Sequence, residues 1–283
     1  MKGEGMKKKM VITLMTGSCL LVGQNSFATD ISFIPRASVG FSNYSVKWDI
    51  KTKWVGGKET SSNVFDIEDD LLTGGVGVTL AAGKFYFDAS LEQTAEATEG
   101  SYEAWNAKLD TTYEISAYAL TLGYNIIGGL SAFGGWNDHT TTITKQYSAS
   151  KLASEFSSGG WFLGLSYGWN VLEDSAISVK AAYAVLQGDI EGEEALENGT
   201  VTVRSDGGDA TGATLGLAWK SYLTDSLSYS FTVDWYNYTY EDFSNDFSVH
   251  WTDAQGPLPI SSDSASDVEE EAYIFRFALS YMF

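Results

Sequence analysis

Segment after segment of this chain places a large apolar residue at every second position, and a period of two marks an extended strand with one apolar face. The segments come in pairs around short turns. Val76, Val78, Leu80 and Ala82 run up to Gly83-Lys84, and Phe85, Phe87, Ala89 and Leu91 run away from it. Tyr118 to Tyr124 leads to Ile126-Ile127-Gly128-Gly129, followed by a weaker strand through Leu130, Ala132 and Trp136. Trp161 to Trp169 leads to Leu172-Glu173-Asp174-Ser175 and then Ile177 to Val185; Leu215 to Trp219 leads to Thr224-Asp225-Ser226 and then Leu227 to Trp235. A first strand around Ala37 to Ile50 and a last from Ala272 to Phe283 bring the count to ten, an even number that leaves both chain ends on one side, as single-chain bacterial barrels require. The first strand changes apolar parity near Asn43, which predicts a bulge there.

Alternation alone does not choose between a soluble sandwich, which buries its apolar parity, and a membrane barrel, which turns it to lipid. Charge placement chooses. Asp88, Glu92, Lys180, Lys220, Asp234 and Arg276 fall within the strands, all on the small and polar parity that also carries Gly75, Gly77, Thr79, Gly164, Ser166 and Gly168. A charge facing lipid at mid-depth costs roughly 2–4 kcal/mol, so this parity is the lumen. Tyr and Trp gather at strand ends: Tyr124, Trp169, Trp219, Tyr229 and Tyr281 near the short turns, Trp48, Trp136, Trp161, Trp235 and Tyr273 near the long connections. Amphipathic rings prefer both membrane interfaces. The fold class predicted is an all-β, transmembrane, antiparallel up-and-down β-barrel of ten strands. Five long acidic connections, approximately residues 51–71, 94–112, 137–159, 188–211 and 239–271, are predicted to be extracellular.

The N-terminus reads as an address. Lys7, Lys8 and Lys9 precede an uncharged stretch from Met10 to Gly23, and Ser26-Phe27-Ala28 offers a small-x-small cleavage site before Thr29. The stretch is shorter than the roughly 20 residues of a spanning helix. Residues 1–28 are therefore expected to be a secretory signal peptide, begun at Met1 or Met6, and residues 29–283 the barrel. Cys19, the only cysteine, lies inside that leader, with Thr16 where a lipoprotein signal wants a Leu-like residue, so no disulfide framework is expected. A hydrophobic content of 44% excludes intrinsic disorder. The net charge of −20 excludes a nucleic-acid binder that works by neutralising phosphates. Loss of the leader removes four lysines and one glutamate and takes the charge to −23.

The last eleven residues, Tyr273-Ile-Phe-Arg-Phe-Ala-Leu-Ser-Tyr-Met-Phe283, resemble the terminal strand of bacterial outer-membrane proteins, with Tyr273, Phe275, Phe277, Leu279, Tyr281 and Phe283 on one parity and an aromatic last residue. The resemblance implies export through the periplasm, recognition by the barrel-insertion machinery, and residence in the outer membrane among its lipids and lipopolysaccharide. Omptin surface proteases are also ten-stranded barrels, and this chain resembles them in strand count. That resemblance implies an acidic pair facing an Asp-x-His pair at the barrel mouth, and the sequence departs from it. Its histidines are His139, directly beside Asp138 in the third long connection, and His250 in the fifth, with Asp66, Glu68, Asp69 and Asp70 able to supply carboxylates from the first loop. Gly164-Leu-Ser-Tyr-Gly168 matches a nucleophile elbow, but an elbow needs a strand, a turn and a helix, and this pentapeptide lies inside an alternating strand.

No catalytic residue, metal site or cofactor is therefore assigned. The acidic runs Asp189 to Asp209 and Asp263 to Glu271 can offer oxygen ligands to divalent cations, though they carry no D-x-[DN]-x-[DN]-G loop and solvated acids are their ordinary state. In the lumen an Asp234–Arg276 pair is expected, with Asp88 and Glu92 opposing Lys180 and Lys220. The expected function is non-enzymatic: a narrow porin-like channel for small cationic solutes. The alternatives are a surface-binding or structural barrel with a plugged lumen, and an omptin-like surface hydrolase.

Overall fold

The computed structural model describes residues 31–53, 59–94, 98–104, 107–146, 151–196, 199–241, 243–251 and 264–283. The leader 1–28 with Cys19, and Pro257, Pro259 and Asp263, lie outside the described residues. Strands make up nearly all of what is described: β1 Ile31–Lys53, β2 Glu59–Ala82, β3 Phe85–Thr94, β4 Thr98–Ala104, β5 Ala107–Ile127, β6 Leu130–Gln146, β7 Lys151–Leu172, β8 Ser175–Leu196, β9 Gly199–Tyr222, β10 Leu227–Glu241, β11 Ser244–Trp251 and β12 Ser264–Tyr281.

Every neighbouring pair is antiparallel, and the ring closes: β12 lies between β1 (Phe41 opposite Phe275) and β10 (Phe231 opposite Phe277), while β10 also pairs β9. β4 continues β3 along β5, and β11 continues β10 along β9, so the twelve strands make ten staves. The turn β5–β6 needs two glycines, because Gly128 and Gly129 hold φ of +57° and +88°, a left-handed pair that side-chain-bearing residues resist.

Outside, the barrel wears an apolar belt. On β7, Trp161, Leu163, Leu165, Tyr167 and Trp169 are exposed; on β12, Tyr273, Phe275, Leu279 and Tyr281 are exposed, and Phe283 beyond the strand is exposed as well. No charged side chain interrupts the run Leu227 to Trp235 on the outward face of β10, a stretch as long as the roughly 9–11 residues of a membrane-crossing strand. The weak strand β6 fits the same surface, since Leu163 on β7 lies beside Gly134 and covers part of the lipid face that Gly134 leaves bare.

Three expectations need correction. The long polar connections are largely strand: β2 runs from Glu59, β8 to Leu196 and β9 from Gly199, so staves of 21 to 24 residues are common and stand well clear of the bilayer. The first strand begins at Ile31 rather than Ala37, and it has no bulge at Asn43. Its even positions face inward without interruption from Ile34 to Val46, and the ladder with β2 slips instead between Trp48 and Asp49. The apparent parity change arises because Tyr44 and Val46 are apolar residues pointing into a lumen that is itself apolar at that height.

Above the belt the wall divides. β3 leaves β2 after Thr94 opposite Thr73, and the Thr94 hydroxyl takes over the backbone of Ile115, accepting from its N–H and donating to its carbonyl at 2.8 Å. β4 then resumes on β5 but not on β2. On the other side β10 leaves β12 after Tyr240 opposite Val268, Phe243 tucks over Gly208, and β11 resumes on β9 but not on β12. Two seams thus separate a three-strand panel, β12-β1-β2, from a seven-strand panel, β4-β5-β6-β7-β8-β9-β11.

Candidate functional site

The chemistry lies in the lumen, in two layers. In the lower, membrane-level layer, Asp88 on β3 receives Arg36 of β1 (Nη2 to Oδ1, 2.8 Å) and the Thr79 hydroxyl. Arg276 of β12 donates from Nε to Glu92 Oε2 at 3.0 Å and from Nη1 to Asp234 Oδ2 at 3.3 Å. Thr73 donates to the other Glu92 oxygen at 2.8 Å, and Lys180 Nζ stands 2.9 Å from Asp234 Oδ1 without the alignment of a hydrogen bond. Glycine makes this possible: a Cβ on Gly216 would fall on both Lys180 and Asp234. Buried charges persist only when paired and hydrogen-bonded, which this layer achieves.

The expected Asp234–Arg276 pair is present in the structure, but the other partners differ. Asp88 meets Arg36 rather than a lysine, Glu92 meets Arg276, and Lys180 joins Asp234. Lys220 lies over the Tyr222 ring, 4.9 Å from its centroid. Arg36 was missed because it precedes the residue at which the first strand was expected to begin. Starting the same even parity two residues earlier would have found it.

The upper layer is where the sequence expectations were poorest. Glu270 on β12 is fully buried, 0% exposed, and Tyr236 and Tyr240 of β10 each donate to it at 3.1 Å. His139 of β6, itself 1% exposed, places Nε2 2.9 Å from Glu270 Oε1, close enough for a charge contact but not aligned as a hydrogen bond. Its Nδ1 has no hydrogen-bond partner among the described residues. The Tyr44 hydroxyl of β1 lies 2.9 Å from that of Thr141, and the Ser158 and Tyr240 hydroxyls are 2.7 Å apart. Around this polar knot stand Leu71, Ile143, Phe156, Leu186, Ile190 and Phe243, all buried.

Tyr238 and Tyr240 lie above Trp235 and so outside the membrane crossing. Burial pushes both phenols up from their ordinary value, and for Tyr240 the Glu270 carboxylate pushes further. They remain neutral donors, which is what a buried carboxylate needs around it.

Among the described residues, the histidine and carboxylates weighed for an omptin-like hydrolase are not brought together as an open acid and base. Asp138 and His139 are neighbours on a strand and therefore point to opposite faces, Asp138 outward and His139 into the lumen. Glu68, Asp69 and Asp70 belong to β2 rather than to a loop, as does Asp66 by its backbone. The backbone of His250 pairs with Thr200; its side chain lies outside the described residues. Ser166 of the Gly-x-Ser-x-Gly match sits in mid-strand on β7. Asp189, Glu191, Asp209 and Glu269 face outward and are exposed, Glu271 faces outward half-buried, and among the described residues no group of three or more His, Cys, Asp or Glu is placed to hold a metal ion. The signal for Glu270 was in the sequence: Val268, Glu270, Ala272 and Ile274 share the inward parity of Arg276.

No family model and no curated relative matches the chain. Among solved structures it is similar to the outer membrane protease OmpT from Escherichia coli, with a TM-score of 0.63 at 13% identity, over 88% of this chain and 97% of that one. It also aligns with the translocator domain of autotransporter NalP from Neisseria meningitidis (TM-score 0.40, 11% identity, 88% of each chain) and with a Pseudomonas aeruginosa FadL homologue (TM-score 0.30, 10% identity, 88% and 90%), which at those scores add nothing to the fold assignment. The OmpT likeness establishes architecture alone. Joined to the apolar belt and the inward turn of every membrane-level charge, that architecture makes the chain a bacterial outer-membrane β-barrel of ten staves.

Proposed function

We propose that the protein is a non-enzymatic, plugged barrel whose tall extracellular half serves as a surface-binding or structural body. One observation carries this reading above the porin-like channel: His139 and Glu270 meet at 2.9 Å although their staves, β6 and β12, lie five places apart in a ring of ten. Side chains that touch from diametrically opposite walls bridge the lumen at that height, and the buried residues packed around them, Leu71, Ile143, Phe156 and Ile190 among them, fill the space on either side of the bridge. Below them the ion-paired layer spans from β3 through β12 and β10 to β8.

A surface hydrolase like the protease it resembles in fold would need its acid and base open to substrate. Here the described histidine and its carboxylate partner are buried, so they serve the interior instead. Outer-membrane lipid and lipopolysaccharide are the surroundings of the belt. Insertion through the β12 signal strand and divalent cations at the outward acids remain part of the proposal. Planar-bilayer recording tests it: the purified barrel is expected to show no steady conductance, and a reproducible ion current through it would overturn the plugged reading.

A further inference from the structure

We propose that Glu270 is a latch, holding the three-strand panel against the seven-strand panel, so that removing its charge lets the panels part along the two seams. The inference rests on the plugged reading and deepens it by naming what keeps the upper lumen shut.

Two independent features meet here. The first is the absence of backbone ladder across the seams: above Thr73 on β2 and above Val268 on β12 the edges of the three-strand panel carry no second strand among the described residues. Among the described residues, parting the panels therefore breaks no strand ladder; it costs strand bending, the side-chain contacts across the interior and exposure of the apolar upper lumen. The second is that the polar contacts across the interior from one panel to the other centre on one carboxylate, set within apolar packing that both panels share. Glu270 of β12 reaches His139 of β6, and Tyr44 of β1, its neighbour on the same panel, bonds Thr141 of β6. Tyr236 and Tyr240 bind the same carboxylate from β10, the stave that splits at the second seam, and Tyr240 passes the connection to Ser158 of β7.

Register sets the latch at the working height. Glu270 is opposite Tyr238 and Val46, two residues below the last β10–β12 pair and already above the point where β3 leaves β2. Hydrogen bonds to a charged acceptor are the strong ones, and a buried partner deprived of its counter-group is strongly unfavourable. Losing the carboxylate thus weakens several contacts at once, and the unladdered panels are the elements free to respond.

The test uses the full chain in lipid nanodiscs with Cys19→Ser as background. Spin labels at Glu68→Cys and Glu155→Cys, exposed sites on opposite panels, report the distance between them. Ala184→Cys, buried in the lumen, reports water access by its rate of reaction with a polar maleimide. With Glu270 intact, one narrow distance and slow labelling are expected. Glu270→Gln, nearly isosteric, is expected to lengthen and broaden the distance and raise labelling by about tenfold or more, the equivalent of one charged hydrogen bond. His139→Phe, which keeps a ring against Phe156, is expected to move both readouts the same way.

Unchanged distance and labelling in Glu270→Gln, with strand content intact by circular dichroism, overturn the latch. Should that variant fail to fold, Tyr240→Phe, which deletes the bonds to Glu270 and Ser158, and Thr141→Val, which deletes the bond to Tyr44, leave Glu270 in place; partial increases support the latch, and no increase overturns it. Conductance by the parent protein overturns the plugged reading; a silent parent with unmoved panels overturns the latch alone.

Discussion

The two halves of the barrel solve the same problem, filling a ten-stave lumen, with different chemistry. At membrane height the outside is apolar and the inside is charged, held by Arg36, Arg276, Lys180 and three carboxylates. Above the membrane the outside is polar, with Glu269, Asp189 and Asp209 exposed, and the inside is apolar around a single buried carboxylate among the described residues. The upper half is thus built like a soluble β-barrel and the lower like an inverted one. The polarity of a strand face follows what surrounds it, and a stave that passes from lipid to water changes which face is apolar without changing register.

This contrast can be broken most strongly from below. Arg276→Met leaves Glu92 and Asp234 buried without their shared partner and is expected to cost about 3–5 kcal/mol, read by urea unfolding in lipid vesicles. Phe156→Ala, in the apolar upper lumen where the ring meets Tyr240 edge-on, is expected to cost a similar roughly 3–5 kcal/mol by leaving a cavity. If the halves are independent, the double variant is additive within about 0.5 kcal/mol; a larger deviation shows that the layers are coupled.

The outer faces give the next effect. Phe231→Arg, in the belt, is expected to destabilise by roughly 2–4 kcal/mol, whereas Thr239→Arg, outward on the same strand but above the belt, should stay within about 0.5 kcal/mol. Equal costs at the two sites would move the membrane boundary. The smallest effect is alkaline. Tyr238 and Tyr240 have folded values raised above the ordinary phenol value near 10. The folded state therefore binds those protons more tightly than the unfolded chain, so the stability they contribute is complete below about pH 10 and is lost as pH rises further. Tyr240→Phe should flatten that decline in a pH series of unfolding midpoints.

Much of the barrel was legible because alternation is a local property. Each hairpin from Val76–Leu91 to Leu215–Trp235 can be read within twenty-odd residues, and the turn glycines punctuate them. What was not legible depends on distance or on the surroundings. Tyr44 and Val46 look like a bulge unless one knows that the lumen is apolar at their height. The strands reach far into the predicted loops because polar outward faces are normal for a strand in water, and composition alone reads them as connections. Asp88 and Glu92 were placed in the lumen by parity, but their partners depend on how the staves lie against one another, a quantity set by barrel stagger rather than by any local pattern. Glu270 and His139 stand on opposite walls, and nothing in either strand points to the other.

That opposition bears on the order in which the molecule is made. β12 pairs with β1, the first strand with the last, and the Arg276–Glu92 bond links residues 184 positions apart. Contacts of such separation repay the entropy of chain closure only once nearly everything between them is already arranged. The knot at Glu270 is therefore among the final contacts to form, and an incompletely assembled cylinder holds the carboxylate and the imidazole apart, each still wet.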